Sequence, residues 1–204
     1  MIGRLAVLCS GQGSILKAVA AAIAAGELNA ELALVVADRQ CPAADWAAGQ
    51  GIATVVVDRT GTPWEEREVQ IEAAVLSHQI SHLLLAGYLS RLGSGLVHRY
   101  AERALNVHPS LLPAFPGLDA IGQALAHGVR VSGVTVHLVS EAIDGGPIVW
   151  QEAVSVWPDD DRHALRQRLA PLEQRGVQTA LGWMLGERLT VRGRTVVVGT
   201  KEEV

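Results

Sequence analysis

Apolar residues in the first half of the chain fall into short runs set between longer stretches that are apolar on one side only. Arg4–Cys9, Glu31–Ala37, Ala53–Val57 and His82–Ala86 are nearly continuous apolar runs, the pattern of strands buried on both faces. Ile15 to Ala25, Ala43 to Gln50 and Trp64 to Ser77 lie between them and read as helices. Gly26 and Gly51 supply stops for the first two, and Thr60 or Thr62 offers an N-cap to the third. Strands alternating with helices of this length predict parallel βαβ units. The expected class is α/β: a Rossmann-like, mostly parallel twisted sheet with helices on both faces.

The second half is less regular. Ala104–Val107 is a predicted strand, followed by a Pro-rich loop over Pro109–Gly117 and a helix over Leu118–His127. Val131–Val139 and Ile148–Val156 are strand-like and suited to pair antiparallel at one edge of the sheet. Asp161–Leu185 reads as a long helix, interrupted or kinked at Pro171. Leu189–Val198 reads as a terminal hairpin turning at Arg192-Gly193-Arg194, and the last six residues are polar and expected to fray. With no repeat or low-complexity linker, the reading is one domain over 1–204, its halves 1–100 and 101–204.

Composition narrows the partners. A chain of 204 residues buries roughly 70% of its unfolded surface and needs no staples. Seventeen basic against twenty-one acidic residues give a net charge of −4, which argues against nucleic acid or an anionic membrane as the main partner. An anionic small molecule stays open, because a helix N-terminus binds phosphate without net positive charge. Cys9 and Cys41 are the two cysteines, and neither has metal-ligand spacing, so no metal and a reduced, cytoplasmic setting are expected. The apolar run after Met1-Ile2-Gly3-Arg4 is too short for a signal peptide, and no stretch is long enough to span a membrane.

Candidate chemistry concentrates at Asn106 and His108. Two apart in a strand, they point to the same side, at the carboxyl end where open α/β sheets hold ligands. Pro109 and Pro113 stiffen the loop that follows. An Asn can bind an oxyanion, a His can move a proton, and a nearby carboxylate can raise the histidine's pKa and orient it. Asp144, before Gly145-Gly146, is the candidate carboxylate, although taken alone it reads as a turn residue. Together the three suit acyl-type transfer at a carbonyl carbon. Of the other histidines, His137 alternates with Thr135 in a strand and is a candidate support for the same cleft. Gly11-Gln12-Gly13-Ser14 ends the first strand and opens the first helix, which suits phosphate. The loop alone is equally consistent with a plain turn. Leu16 stands where a dinucleotide fingerprint needs its third glycine, and no Walker lysine follows. Glu173 and Arg67 read equally well as solvated helix residues.

Asn106-Val107-His108-Pro109-Ser110-Leu111-Leu112-Pro113, Phe115-Pro116-Gly117, Gln123-Ala124-Leu125, Gly133 with Thr135 and His137, and Asp144-Gly145-Gly146 together resemble the folate-dependent phosphoribosylglycinamide formyltransferase family of de novo purine synthesis. The likeness is collinear from the Gly11 loop through Glu173. It implies the formyltransferase fold and transfer of the formyl group of 10-formyltetrahydrofolate to the amine of glycinamide ribonucleotide. The products would be formyl-GAR and tetrahydrofolate. The folate would be a co-substrate, no metal would be needed, and the protein would be a monomer or homodimer.

By the same resemblance, Asn106 and His108 hold the oxyanion and His108 shuttles a proton. Asp144 raises the pKa of His108 and orders a water. Gly11, Gln12, Gly13 and Ser14 take the ribonucleotide phosphate, and Glu173 contacts the ribonucleotide. The folate lies against Leu89, Ser90, Arg91 and Leu92 and against Ser140, Glu141 and Ile143, mostly through backbone, with Arg67 near its glutamate tail. Ser14-Ile15 stands where members often carry Ser-Asn, and Leu89-Ser90-Arg91 where Met-Arg is usual. Methionyl-tRNA formyltransferase would add a basic C-terminal domain and formyltetrahydrofolate deformylase an N-terminal one. Formyl transfer to another amine, such as a sugar nucleotide, is the nearest alternative. A non-catalytic folate- or nucleotide-binding protein of the same fold is the next, though binding alone would not need Asn106, His108 and Asp144 together.

Overall fold

Strands form where the short apolar runs lie: β1 (Gly3–Cys9), β2 (Ala30–Ala37), β3 (Thr54–Val56) and β4 (His82–Leu85). The computed structural model describes residues 2–199; beyond Gly199, the tail expected to fray lies outside the described residues. The chain groups into two compact units that divide after Leu105.

In the first unit the strand order is β3-β2-β1-β4, and β1–β2, β1–β4 and β2–β3 all pair parallel. Leu5, Ala6, Val7 and Leu8 are each 0% exposed, so consecutive side chains are covered on both faces of β1, as in a sheet sandwiched by helices. Those helices are α1 (Ser14–Ala24), α2 (Pro42–Gly49), α3 (Trp64–Ser77) and α4 (Ser94–Arg99). α1 buries Ile15, Leu16, Val19 and Ala22, a stripe at helical spacing. Gly26 follows the α1 cap in a left-handed conformation, φ 75°.

Two expectations change in this unit. Pro63, not a threonine, occupies the α3 N-cap, because Thr60 is engaged elsewhere: its N–H and its hydroxyl both donate to Asp58 Oδ1. α4 was not expected at all. Gly93 and Gly95 flank its start, and Leu96 and Val97 are buried on that short helix.

The second unit holds most of β5 (Ala104–His108), then α5 (Ala120–Ala126), β6 (Val131–Leu138), β7 (Ile148–Ser155), α6 (Arg162–Leu185), β8 (Leu189–Arg192) and β9 (Thr195–Val198). The order is β5-β6-β7-β9-β8. β6 and β7 pair antiparallel, but they are not the edge. β9 joins β7 in parallel at Ile148↔Thr195, and β8 closes the hairpin beyond it. α6 runs without a break through Pro171. Pro171 is exposed, so the carbonyl it leaves unbonded can be satisfied by solvent. α6 buries Leu165, Leu169, Val177, Ala180, Leu181 and Met184 in one stripe, and Glu173 lies within that stripe. Gly176 lets the helix press onto β7: a Cβ there would sit 2.4 Å from the Trp150 ring.

Candidate active site

The carboxyl end of β5 carries the chemistry. Asn106 and His108 leave the strand on one side, and both reach Asp144 on the loop after β6. His108 Nδ1 lies 3.4 Å from Asp144 Oδ2, and Asn106 Nδ2 donates to Asp144 Oδ1 at 3.2 Å. His137, near the end of β6, joins them: its Nε2 is 3.6 Å from Asp144 Oδ1 and 3.1 Å from Asn106 Nδ2. Asp144 therefore sits at the centre of a four-residue polar group, with His108 and His137 buried at 6% and 2% exposure.

Backbone groups complete it. The Gly117 N–H donates to Asp144 Oδ2 at 2.7 Å, and His108 Nε2 lies 2.8 Å from the Phe115 carbonyl. Phe115, Asp119 and Asp144 are non-glycine residues held at φ 53°, 61° and 48°, a conformation that costs energy and clusters at functional sites. Gly146 has to be glycine, because a Cβ there would lie 1.7 Å from the Leu138 carbonyl. Burial by itself would raise the Asp144 pKa. Hydrogen bonding from His137 when its ring is protonated, the Gly117 N–H and the charges of both histidines in that form outweigh it and hold the carboxyl below the ordinary range.

A hydrogen-bond network centred on buried Thr135 and Ser110 fixes the Pro-rich loop. Thr135 Oγ1 donates to the Ser110 carbonyl at 2.7 Å and accepts from the Leu112 N–H at 3.1 Å. Gln151 Nε2 donates to both Thr135 Oγ1 and the Leu112 carbonyl, and Ser110 Oγ donates to the Ala114 carbonyl. Sequence reasoning missed Phe115, Gly117, Thr135 and Gln151 as parts of the site. The first two act through backbone atoms, which residue type does not reveal. Gln151 becomes visible only once the β6–β7 register sets it opposite Thr135.

The remaining candidates lie as follows. In the first unit, Gly11 to Gly13 connects β1 to α1, and Gly13 is the α1 N-cap with no side-chain cap. Ser10 Oγ accepts the Leu89 N–H at 2.8 Å, and Ser90 Oγ donates to Asp38 Oδ2 at 2.9 Å. The 89–92 segment is thus latched to the ends of β1 and β2, and the Ser90 hydroxyl faces Asp38. Asp38 is fully buried, with Arg59 at 3.7 Å. Leu89 and Arg91 are exposed. The Arg67 guanidinium stacks 5.2 Å from the Trp64 ring, and its Nε is buried without a partner.

In the second unit, Glu141 and Ile143 are exposed, and Ser140 Oγ donates to the Ala142 carbonyl. Glu173 is 3% exposed. One of its oxygens lies 3.5 Å from Arg166 Nη1, and the other is buried with no partner. Burial holds its pKa above the ordinary carboxylate range, against the pull of Arg166. Among the described residues no cluster of three or more His, Cys, Asp or Glu is placed to hold a metal ion, and no helix is long and apolar enough to cross a membrane.

Known proteins are similar to this chain in sequence and in fold. The family model described as Formyl transferase matches residues 3–181. The chain is 39% identical over 199 residues to the phosphoribosylglycinamide formyltransferase of Mycobacterium tuberculosis, across 97% of this chain and 92% of that protein. A solved structure of glycinamide ribonucleotide transformylase 1 from Symbiobacterium toebii superposes with a TM-score of 0.93 at 34% identity, covering 98% of this chain and 95% of that one. A formyltetrahydrofolate deformylase from Pseudomonas syringae pv. tomato superposes with a TM-score of 0.92 at 26% identity, and 67% of that chain is covered.

Proposed function

This chain belongs to the formyl transferase family, and we propose that it transfers the formyl group of 10-formyltetrahydrofolate to the amine of glycinamide ribonucleotide in purine biosynthesis. The observation that carries the reading is the Asp144-centred group, which gathers an amide donor and two imidazoles around one partly buried carboxylate.

In this reaction the amine nitrogen attacks the formyl carbon, the carbonyl π electrons move to oxygen, and a tetrahedral intermediate forms with an oxyanion beside a cationic nitrogen. Collapse breaks the bond to the folate nitrogen, which takes a proton as the attacking nitrogen loses one. Donors aimed at the developing oxyanion lower this barrier, and a positioned acid–base group carries the proton. Asn106 and His108 take the oxyanion, and His108 moves the proton. Asp144 keeps both side chains in place, stays ionised through the neutral range and orders the water through which the proton passes. Both Asn106 N–H groups and both His108 nitrogens face protein partners. Substrate engagement therefore exchanges at least one of these contacts.

The Gly11, Gln12, Gly13 and Ser14 backbone takes the ribonucleotide phosphate, since the N-terminus of α1 offers unpaired N–H groups. The partnerless oxygen of Glu173 accepts from a donor on the ribonucleotide. Leu89 to Leu92, with Ser140, Glu141 and Ile143, line the folate, chiefly through backbone, and Arg67 meets its acidic tail. No metal takes part, the protein works in the cytoplasm on small molecules as a monomer or homodimer, and residues 1–204 act as one catalytic domain. The test is turnover of 10-formyltetrahydrofolate with a panel of amine acceptors, before and after chelation. Tetrahydrofolate should form with glycinamide ribonucleotide and survive chelation. Transfer only to another amine, or activity that a divalent metal must restore, would overturn the assignment.

A further inference from the structure

His137 carries more than a supporting role. Its Nδ1 lies 2.8 Å from the Leu138 carbonyl, which can only accept, so Nδ1 holds the proton. Its Nε2 faces Asn106 Nδ2 at 3.1 Å, which can only donate, so Nε2 presents its lone pair. The Asn106 amide cannot be turned over without aiming its oxygen at the Asp144 carboxylate, which fixes its orientation as well. Its two hydrogens are then both spent, one on Asp144 Oδ1 at 3.2 Å and one on His137. In this arrangement Asn106 has no hydrogen left for an oxyanion.

We propose that His137 is a positioning residue that parks Asn106, and that a proton arriving on His137 Nε2 releases it. A protonated Nε2 becomes a donor. It turns to Asp144 Oδ1, 3.6 Å away, and repels the Asn106 amide. Asn106 loses one acceptor outright and shares the other, so an N–H is freed toward the reacting oxygen. Asp144 faces His137 from the loop after β6, and His108 stands behind Asp144 from β5. β7 sets Ile148 opposite His137 in the sheet register. The register shifts by one residue between Val136 and His137. The purpose assigned to the released N–H rests on the formyl-transfer reading above.

His137→Gln tests the proposal, because a glutamine oxygen can still accept from Asn106 but cannot take up a proton there. Asn106 should stay parked, so kcat should fall about as far as in Asn106→Ala, on the order of 10²-fold for one oxyanion donor, with little change in either KM. The double variant should lose little more than either single one, since both act through the same N–H. Should His137→Gln fail to fold, the ¹⁵N resonances of the wild-type protein answer the question. Nε2 should show the signature of an unprotonated nitrogen that accepts a hydrogen bond, and the Asn106 side-chain amide signals should move together with Nε2 whenever it takes up a proton. Losses that multiply in the double variant, or Asn106 signals indifferent to His137, would overturn the proposal. A wild-type protein that transfers no formyl group would instead overturn the functional reading.

Discussion

Two carboxylates of the second unit are shifted in opposite directions, and each shift makes a prediction at the scale of single residues. Asp144 is held below its ordinary pKa, so its stabilising contribution is complete above the unfolded value of about 3.9 and is lost as pH falls through the lower folded value. Glu173 is held above its ordinary pKa by burial. Its folded form favours the proton, so stability is greatest below the unfolded value of about 4.3 and declines as pH rises through the folded one. Glu173→Gln should therefore raise Tm near neutral pH, by about 2–4 °C for each kcal/mol recovered. The gain should vanish in acid, and the KM for the ribonucleotide should rise. A thermal melt at both pH values checks this, and an equal gain at both would contradict it. Arg166 is half-exposed, so losing its pairing costs little. His108→Ala should cut kcat by about 10²–10⁴ while calorimetry shows the ribonucleotide still binding. Asn106 and His108 were legible in the sequence because period-two geometry puts them on one side, whereas Asp144 taken alone reads as a turn residue and stood out only beside them. The partners of His108 and Asp144 at Phe115 and Gly117 were not, since a carbonyl and an N–H belong to every residue.

At the scale of elements, the turn from β1 into α1 separates two glycines that sequence alone treats alike. Gly13 sits at φ 74°, and a Cβ there would meet the Ala43 Cβ at 2.8 Å, so α1 and α2 leave no room for a side chain. Its substitution damages the fold and says little about phosphate. At Gly11 an added Cβ meets no protein atom within 4 Å. Gly11→Ala should leave Tm nearly unchanged and raise the KM for the ribonucleotide well above that for the folate. Equal effects on both KM values would show that the turn only supports the fold. The strands were legible because they are continuous apolar runs. α4 was hidden by its glycines, the α3 cap by the prior engagement of Thr60 with Asp58, and the continuity of α6 by Pro171. In each case a partner distant in sequence or a solvent-facing position decided the outcome, and local pattern does not encode either.

Across the whole molecule, parallel βαβ units and a later antiparallel segment were expected, and both are present. The placement of the hairpin was not, because strand pairing between β7 and β9 depends on contacts rather than on periodicity. The central claim is that the Asp144-centred group sends the formyl carbon to the ribonucleotide amine. The most direct test follows a ¹³C-labelled formyl group on 10-formyltetrahydrofolate by NMR, with glycinamide ribonucleotide present, in wild-type protein and in Asp144→Asn. The account predicts that the label appears in the formylated ribonucleotide with wild type and stays on the folate with Asp144→Asn, although that variant still binds the ribonucleotide. Label released as formate by wild type, or transfer at an undiminished rate in Asp144→Asn, would contradict it.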